Sequence, residues 1–144
     1  MIVLDAYAVL ALLKGEPAAA DVRALLDRNA DAVLTVLGVA EVVDHLVRLV
    51  GATDEAAALD VAQLGLAEPD PLDVGLGLRA GLVRARHYHR RTRAVSLADC
   101  VVAETARAHD APVASADPHL LDVCRDEGIA VLPLPGSDGR TWSP

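Results

Sequence analysis

Hydrophobic and polar positions along the chain follow two alternating periods. Short apolar runs of strand length, Ile2 to Leu4, Ala32 to Val36, Pro112 to Ser115 and Ile129 to Leu132, are separated by longer stretches with helical apolar spacing. The first of these stretches predicts a helix from Ala6 to Lys14, broken at Gly15-Glu16-Pro17, and the second a helix from Ala18 to Arg28 with Val22, Leu25 and Leu26 on one face. A third helix runs from Gly38 to Val50 and stops at Gly51, and a fourth runs from Asp54 to Gly65, ahead of Pro69 and Pro71. Pro71 to about Arg91 reads as one long helix, Ser96 to His109 as the next and Pro118 to Glu127 as the last.

Strands alternating with helices imply a parallel sheet covered on both faces. The expected fold is therefore α/β, a three-layer α/β/α sandwich with a short parallel central sheet. Residues 1–132 are expected to form a single domain, and residues 133–144, rich in Pro, Gly and Ser, an irregular C-terminal tail.

Composition narrows the function classes. A chain of 144 residues that is 53% hydrophobic can bury a sizeable core alone. With no Phe, one Trp and two Tyr, that core is built of Leu, Val and Ala. The chain also lacks the aromatic platforms on which single-stranded RNA stacks. A net charge of −8 with Lys14 as the one lysine argues against general attraction to a polyanion, so any nucleic-acid contact must be local. No apolar run approaches the ~18 residues of a membrane span, and no basic segment precedes the N-terminal apolar stretch. A cytoplasmic location is expected. Cys100 and Cys124 have no zinc spacing and read as small packing residues.

The informative polar residues are four acids, Asp5, Glu41, Asp99 and Asp117, each standing where an apolar run meets a helix. Such junctions lie at the carboxyl ends of strands, where open sheets build ligand sites. Structural roles compete. Ser96-Leu-Ala-Asp99 resembles a capping box, Asp117-Pro118 an ordinary helix start, and Glu41 fits a solvated face with Asp44, His45 and Arg48. Asp5 lies inside the aliphatic stretch Ile2 to Leu13 with no evident capping partner, so it calls for a cation.

Taken in order, Leu-Asp5-Ala-Tyr-Ala-Val-Leu, Val-Ala-Glu41-Val-Val, Ser96-Leu-Ala-Asp99 and Val-Ala-Ser115-Ala-Asp117-Pro resemble the four acidic motifs of PIN-domain ribonucleases. Their order and cover, from residue 1 to about 132, are similar to those of the VapC-type toxins of toxin–antitoxin pairs. The resemblance implies catalytic and metal-ligating roles for Asp5, Glu41, Asp99 and Asp117, with Mg²⁺ or Mn²⁺ as cofactor and Ser115 a helper near the metal. Asp5 and Asp99 are the expected direct ligands. It also implies RNA as substrate, a homodimer, and a VapB-type antitoxin that places an Arg or Lys among the carboxylates. Two positions depart from the family: Tyr7 stands where a Ser or Thr is frequent, and Leu37, Gly38 and Val39 precede Glu41 where a polar residue is common.

Hard oxygen donors without Cys or His at zinc spacing select Mg²⁺ or Mn²⁺ independently of the resemblance. RNA contact is expected at Arg79, Arg86, Arg90 and Arg93, which share a face at helical spacing in a segment free of acids from Val74 to Ala98; the competing reading is a solvated helix end. Two other classes stay open: an inactive nuclease fold serving as an RNA-binding or assembly scaffold, and a receiver-type signalling domain. The latter is disfavoured because the chain lacks an adjacent acidic pair near its first strand and a late Lys. A haloacid-dehalogenase phosphatase is disfavoured by Asp5-Ala-Tyr, which lacks the second Asp of a DxD motif.

Overall fold

The computed structural model of the chain describes residues 1–28 and 31–144. Among these, four strands, β1 (Ile2–Leu4), β2 (Ala32–Leu34), β3 (Val113–Ser115) and β4 (Val131–Pro133), form one sheet in the order β2-β1-β3-β4, and every pairing is parallel. The connecting helices are α1 (Ala6–Lys14), α2 (Ala19–Arg28), α3 (Val36–His45), α4 (Asp54–Ala62), α5 (Val74–His87), α6 (Leu97–Ala108) and α7 (Pro118–Asp126).

Side chains alternate across the sheet, and that alternation makes the three layers. Ile2 and Leu4 face one way with Leu34 and Ala114 and pack on α1, α2 and α3 through Ala8, Val9, Val22 and Val42. Val3 and Val113 face the other way, against Val102, Ala103 and Ala106 of α6 and Leu120 and Cys124 of α7. Outside α6 lies α5, seated through Leu76, Ala80 and Val83 on Cys100 and Val101. Every residue of α6 from Cys100 to Ala106 is buried as a result. Near-continuous apolar strands are what a sheet covered on both faces requires.

Boundaries differ from expectation where side chains cap earlier or later than periodicity suggests. The second strand stops at Leu34 because Thr35 caps α3, accepting the Gly38 N–H at 3.1 Å. Beyond His45 the third helix widens into a π-helical turn, Leu46–Val50, before Gly51 ends it in the left-handed conformation. The long helix expected from Pro71 to Arg91 starts only at Val74, capped by Asp73, and ends at His87. Tyr88 turns extended there, with the Arg84 guanidinium 4.1 Å from its ring and Arg84 Nε donating to the Val95 carbonyl at 3.0 Å. The final strand starts two residues later than its apolar run, at Val131, and ends one residue later, at Pro133. After it, Leu134 is buried, and the Trp142 indole N–H donates to Asp122 at 3.2 Å.

Gly38 decides how closely α3 approaches β2. A Cβ there would stand 2.6 Å from Leu34 Cδ1 and 3.0 Å from its Cγ, and Leu34 is fully buried. Gly38→Ala should therefore destabilise the protein by about 1–3 kcal/mol through overpacking, although alanine is the better helix former. Urea unfolding measures it, and a variant as stable as the parent would show that Leu34 repacks freely.

Candidate active site

The strand order places a topological switch point between β1 and β3, whose chains leave toward opposite edges of the sheet. Asp5 follows β1 and Asp117 follows β3, so both carboxyls lie at that crevice. Glu41 arrives from the second turn of α3 and Asp99 from the first turn of α6. All four line one open cleft of about 390 Å³, joined by Tyr7, Asp44 and His45.

Three of the four acids are also helix-start residues. Asp5 caps α1, its Oδ1 accepting the Ala8 N–H at 3.0 Å. This corrects the expectation that Asp5 has no capping partner: the turn after β1 is tight enough for the N-cap geometry, which an aliphatic pattern does not reveal. Asp99 completes the capping box, taking the Ser96 N–H at 2.8 Å while its own N–H donates to Ser96 Oγ at 3.0 Å. Asp117 caps α7, accepting the His119 N–H at 2.8 Å, with Pro118 at the first helical position. Capping and cleft lining coexist in the same side chains.

Ser115 ties two of these acids together. Fully buried, its hydroxyl donates to Asp5 Oδ2 and its oxygen accepts the Asp117 N–H at 2.9 Å. Asp5 is 5% exposed, and burial pushes its carboxyl up to about 7; the bonds from Ser115 and Ala8 oppose that, and the charges of Asp99 and Asp117 add to it. Burial likewise raises Glu41 and Asp117, and the Asp99 charge raises both further. The cleft thus resists carrying its full negative charge, which is the electrostatic condition that a cation relieves.

The donors in the cleft are oxygens and one imidazole, His45, while the thiols are elsewhere and inert: burial pushes Cys100 up to about 11 and Cys124 to about 12. Such a set fits Mg²⁺ or Mn²⁺ better than a thiophilic ion. Among the described residues no three His, Cys, Asp or Glu side chains are already grouped as a metal site. The carboxylates share a cleft without forming a finished cage.

Asp44 and His45, expected on a solvated face with Glu41, both reach the cleft wall. The signal was present, because Glu41, Asp44 and His45 are spaced to share one side of α3. Asp44 is held by Arg48 at 2.7 Å, and His45 Nε2 lies 3.3 Å from Lys14 Nζ, itself paired with Glu16 at 2.9 Å. Tyr7 directs its hydroxyl to the Pro135 carbonyl at 3.1 Å, toward the C-terminal segment.

The arginines are arranged differently from expectation. Because α5 ends at His87, and His89 and Arg93 exchange backbone hydrogen bonds of 2.9 Å in a turn, Arg90 and Arg93 do not continue the face of Arg79 and Arg86. Arg79 pairs with buried Glu104 at 3.4 Å, Arg86 with Glu127 at 2.8 Å and Arg93 with Asp126 at 2.8 Å. Burial alone would raise Glu127, but bonds from Arg86, His87 and Arg107 outweigh it and hold the carboxyl at about 2. Arg90 is exposed, and none of the four lines the acidic cleft.

A family model described as PIN domain matches residues 2–126. No curated protein matches the sequence. Among solved structures, the crystal structure of FitAcB from Neisseria gonorrhoeae is similar at 22% identity, covering 92% of this chain and 96% of that one with a TM-score of 0.65. The structure of FitAB bound to IR36 DNA fragment is similar at 23% identity, covering 92% and 94% with a TM-score of 0.69. At these identities the likeness is one of fold.

The raised Asp5 carboxyl makes stability depend on pH in a defined direction. Between its ordinary 3.8 and about 7 the folded state holds a proton that the unfolded state releases, so this group's contribution falls as pH rises through that window. In metal-free buffer, Asp5→Asn should gain stability over the parent from about pH 4 to about pH 8, by on the order of a few kcal/mol. Denaturant melts across the range test it, and parallel profiles would uncouple Asp5 from folding.

Proposed function

The chain belongs to the PIN-domain family, and from that premise we propose that it is a metal-dependent endoribonuclease toxin of the VapC type, hydrolysing RNA phosphodiester bonds and restrained by a VapB-type antitoxin. The observation that carries the reading is the convergence of Asp5, Glu41, Asp99 and Asp117 on one cleft at the sheet's switch point. The fold shared with FitAB bound to a DNA fragment supports it as a likeness of architecture. Homodimerisation and a cytoplasmic location belong to the same proposal; among the described residues no helix is long and apolar enough to cross a membrane.

In this reading Asp5 and Asp99 hold Mg²⁺ or Mn²⁺, with Glu41 and Asp117 as further ligands or as the groups that orient water. Held there, such an ion would supply Lewis-acid activation of a water for in-line attack on phosphorus and charge stabilisation for the leaving oxygen. The chain's own contribution is positional. Ser115 fixes Asp5 against Asp117, and the helix starts of α1, α6 and α7 hold three carboxyls through the N–H groups of Ala8, Ser96 and His119. Asp5 accepts bonds on both oxygens, so it is oriented before any ligand arrives. Glu41, on the exposed turn of α3, is the acid placed to meet solvent and substrate. Phosphate contact falls to Arg90, since Arg79, Arg86 and Arg93 are committed to acids.

One observation favours the runner-up, a catalytically weak or inactive PIN-fold scaffold that binds RNA. The Tyr7 hydroxyl, standing where the family often carries a metal-helping Ser or Thr, is spent on the Pro135 carbonyl. Activity separates the two. Purified protein should cleave total RNA with Mg²⁺ or Mn²⁺ and be silenced by chelator, and Asp5→Asn or Asp99→Asn should lower the rate by about 10²-fold or more. RNA binding without cleavage would establish the scaffold, and full activity in chelator would remove the metal mechanism.

A further inference from the structure

Beyond β4 the chain closes a loop against the carboxyl edge of the sheet. The Leu134 N–H donates to the Ser115 carbonyl at 2.8 Å, Pro135 and Thr141 pair as an antiparallel bridge, and the Gly136 N–H donates to the Arg140 carbonyl at 2.7 Å. Trp142 then pins the loop to α7. Its indole N–H is held by Asp122, and the Arg125 guanidinium stands 5.9 Å from the ring centre. A half-buried tryptophan fixed along one edge has little freedom left to lose when a ligand stacks on it.

Between this loop and the exit of β3 lies a second hollow of about 230 Å³, walled by Ala116, Pro118, Asp138, Arg140 and Trp142. It adjoins the acidic cleft. Ala116 and Pro118 flank Asp117 of the cleft, and Tyr7 of the cleft donates to the carbonyl of Pro135, the residue before Gly136 of the hollow. A strand crossing the cleft over Asp117 therefore meets the hollow with its neighbouring nucleotide. The walls suit one. Trp142 is the chain's single tryptophan, and an indole accepts any base as a stacking partner. The Arg140 side chain is 90% exposed, and its Nε stands 3.7 Å from Asp138 Oδ2, beyond hydrogen-bond reach. Its donors stay available for a phosphodiester, unlike those of a closed ion pair. Asp138, whose Oδ1 accepts the Arg140 backbone N–H at 2.9 Å, disfavours a free phosphate dianion more than the single charge of a phosphodiester. Arg90 lines neither cavity. We infer that this hollow is a nucleotide subsite for the RNA substrate, with one base stacked on Trp142 and the adjoining phosphodiester on Arg140. The inference rests on the RNA-cleaving reading above and names residues that grip the strand beside the cleft.

Because no other tryptophan is present, fluorescence reports on the hollow directly and without cleavage. In chelator, the dinucleoside monophosphates ApA and UpU should quench Trp142 saturably, and inorganic phosphate should not. Arg140→Gln should raise the half-saturating dinucleotide concentration by roughly five- to tenfold. With Mn²⁺ and a short single-stranded oligoribonucleotide, Trp142→Ala should raise KM by about tenfold or more, a larger change than in kcat. Trp142→Phe, which keeps a ring, should restore most of it. If Trp142→Ala melts lower than the parent, the fluorescence of the wild type and of Arg140→Gln still decides, since both keep the indole in place. Absence of saturable quenching, or equal quenching by inorganic phosphate, overturns the subsite. Saturable quenching by dinucleotides in a protein that cleaves no RNA overturns the nuclease reading alone. Chelator-sensitive cleavage with KM unchanged in Trp142→Ala and Arg140→Gln overturns the subsite alone.

Discussion

The protein is organised around an ionisable carboxyl buried at the end of its central strand. Asp5 is surrounded by Leu4, Ala6 and the fully buried β3, and an isolated charge in such a place costs several kcal/mol. The chain limits that cost with one backbone N–H and one hydroxyl, from Ala8 and Ser115, each aimed at a different carboxyl oxygen. Those two bonds prescribe neighbours. The Ala8 N–H requires α1 to start immediately after β1, and the Ser115 hydroxyl requires β3 to lie beside β1 in register, with Leu4 paired to Ala114. The parallel order β2-β1-β3-β4 and the position of the cleft therefore answer to the same residue.

Helix starts let the fold collect acids without collapsing under their repulsion. The first N–H groups of a helix lack intrahelical partners and carry partial positive charge. Asp5, Asp99 and Asp117 each satisfy one such end, so a carboxylate needed at the cleft is also a carboxylate needed by a helix. Glu41 lies outside this scheme, in the second turn of α3, where Thr35 supplies the cap. It is consequently the more exposed of the four donors, held by its helix but by no cap of its own.

Much of this was legible in the residues. Apolar runs and their punctuation located all four strands and the helices between them, because a sheet covered on both faces leaves little freedom in its strand composition. The capping box at Ser96 and the Asp117-Pro118 start could be read directly, since both depend on contacts three residues apart or fewer. The cap made by Asp5 is not legible in the pattern, because it depends on where the backbone turns after β1 and hydrophobic periodicity carries no information about that turn. The end of α5 was misplaced for a tertiary reason: Arg84 binds the Val95 carbonyl and stacks on Tyr88, which stops a helix that the local sequence would continue. The arginine face vanished with it. Asp44 and His45 share the Glu41 side of α3 at legible spacing, but spacing alone does not separate a solvated face from a cleft wall.

Charge segregation then explains how a chain with 21 acidic and 13 basic residues keeps one acidic cleft open. Five of its arginines, from α5, the turn after it, α6 and α7, pair instead with Glu104, Asp126 and Glu127. Arg79 and Arg107 meet across buried Glu104, Arg86 and Arg107 grip Glu127, and Arg93 and Arg125 take Asp126. These pairs join α5, α6 and α7 and leave no guanidinium to neutralise Asp99 from within the same helix. The cations near the cleft are in turn occupied, Arg48 by Asp44 and Lys14 by Glu16. With these cations paired away from the carboxyls, the cleft stays acidic, and a cation arriving from outside the chain would offset it. In the proposed reading a divalent ion or a cationic side chain of a partner would fill that one role, because either would relieve the same burial and the same repulsion at Asp5.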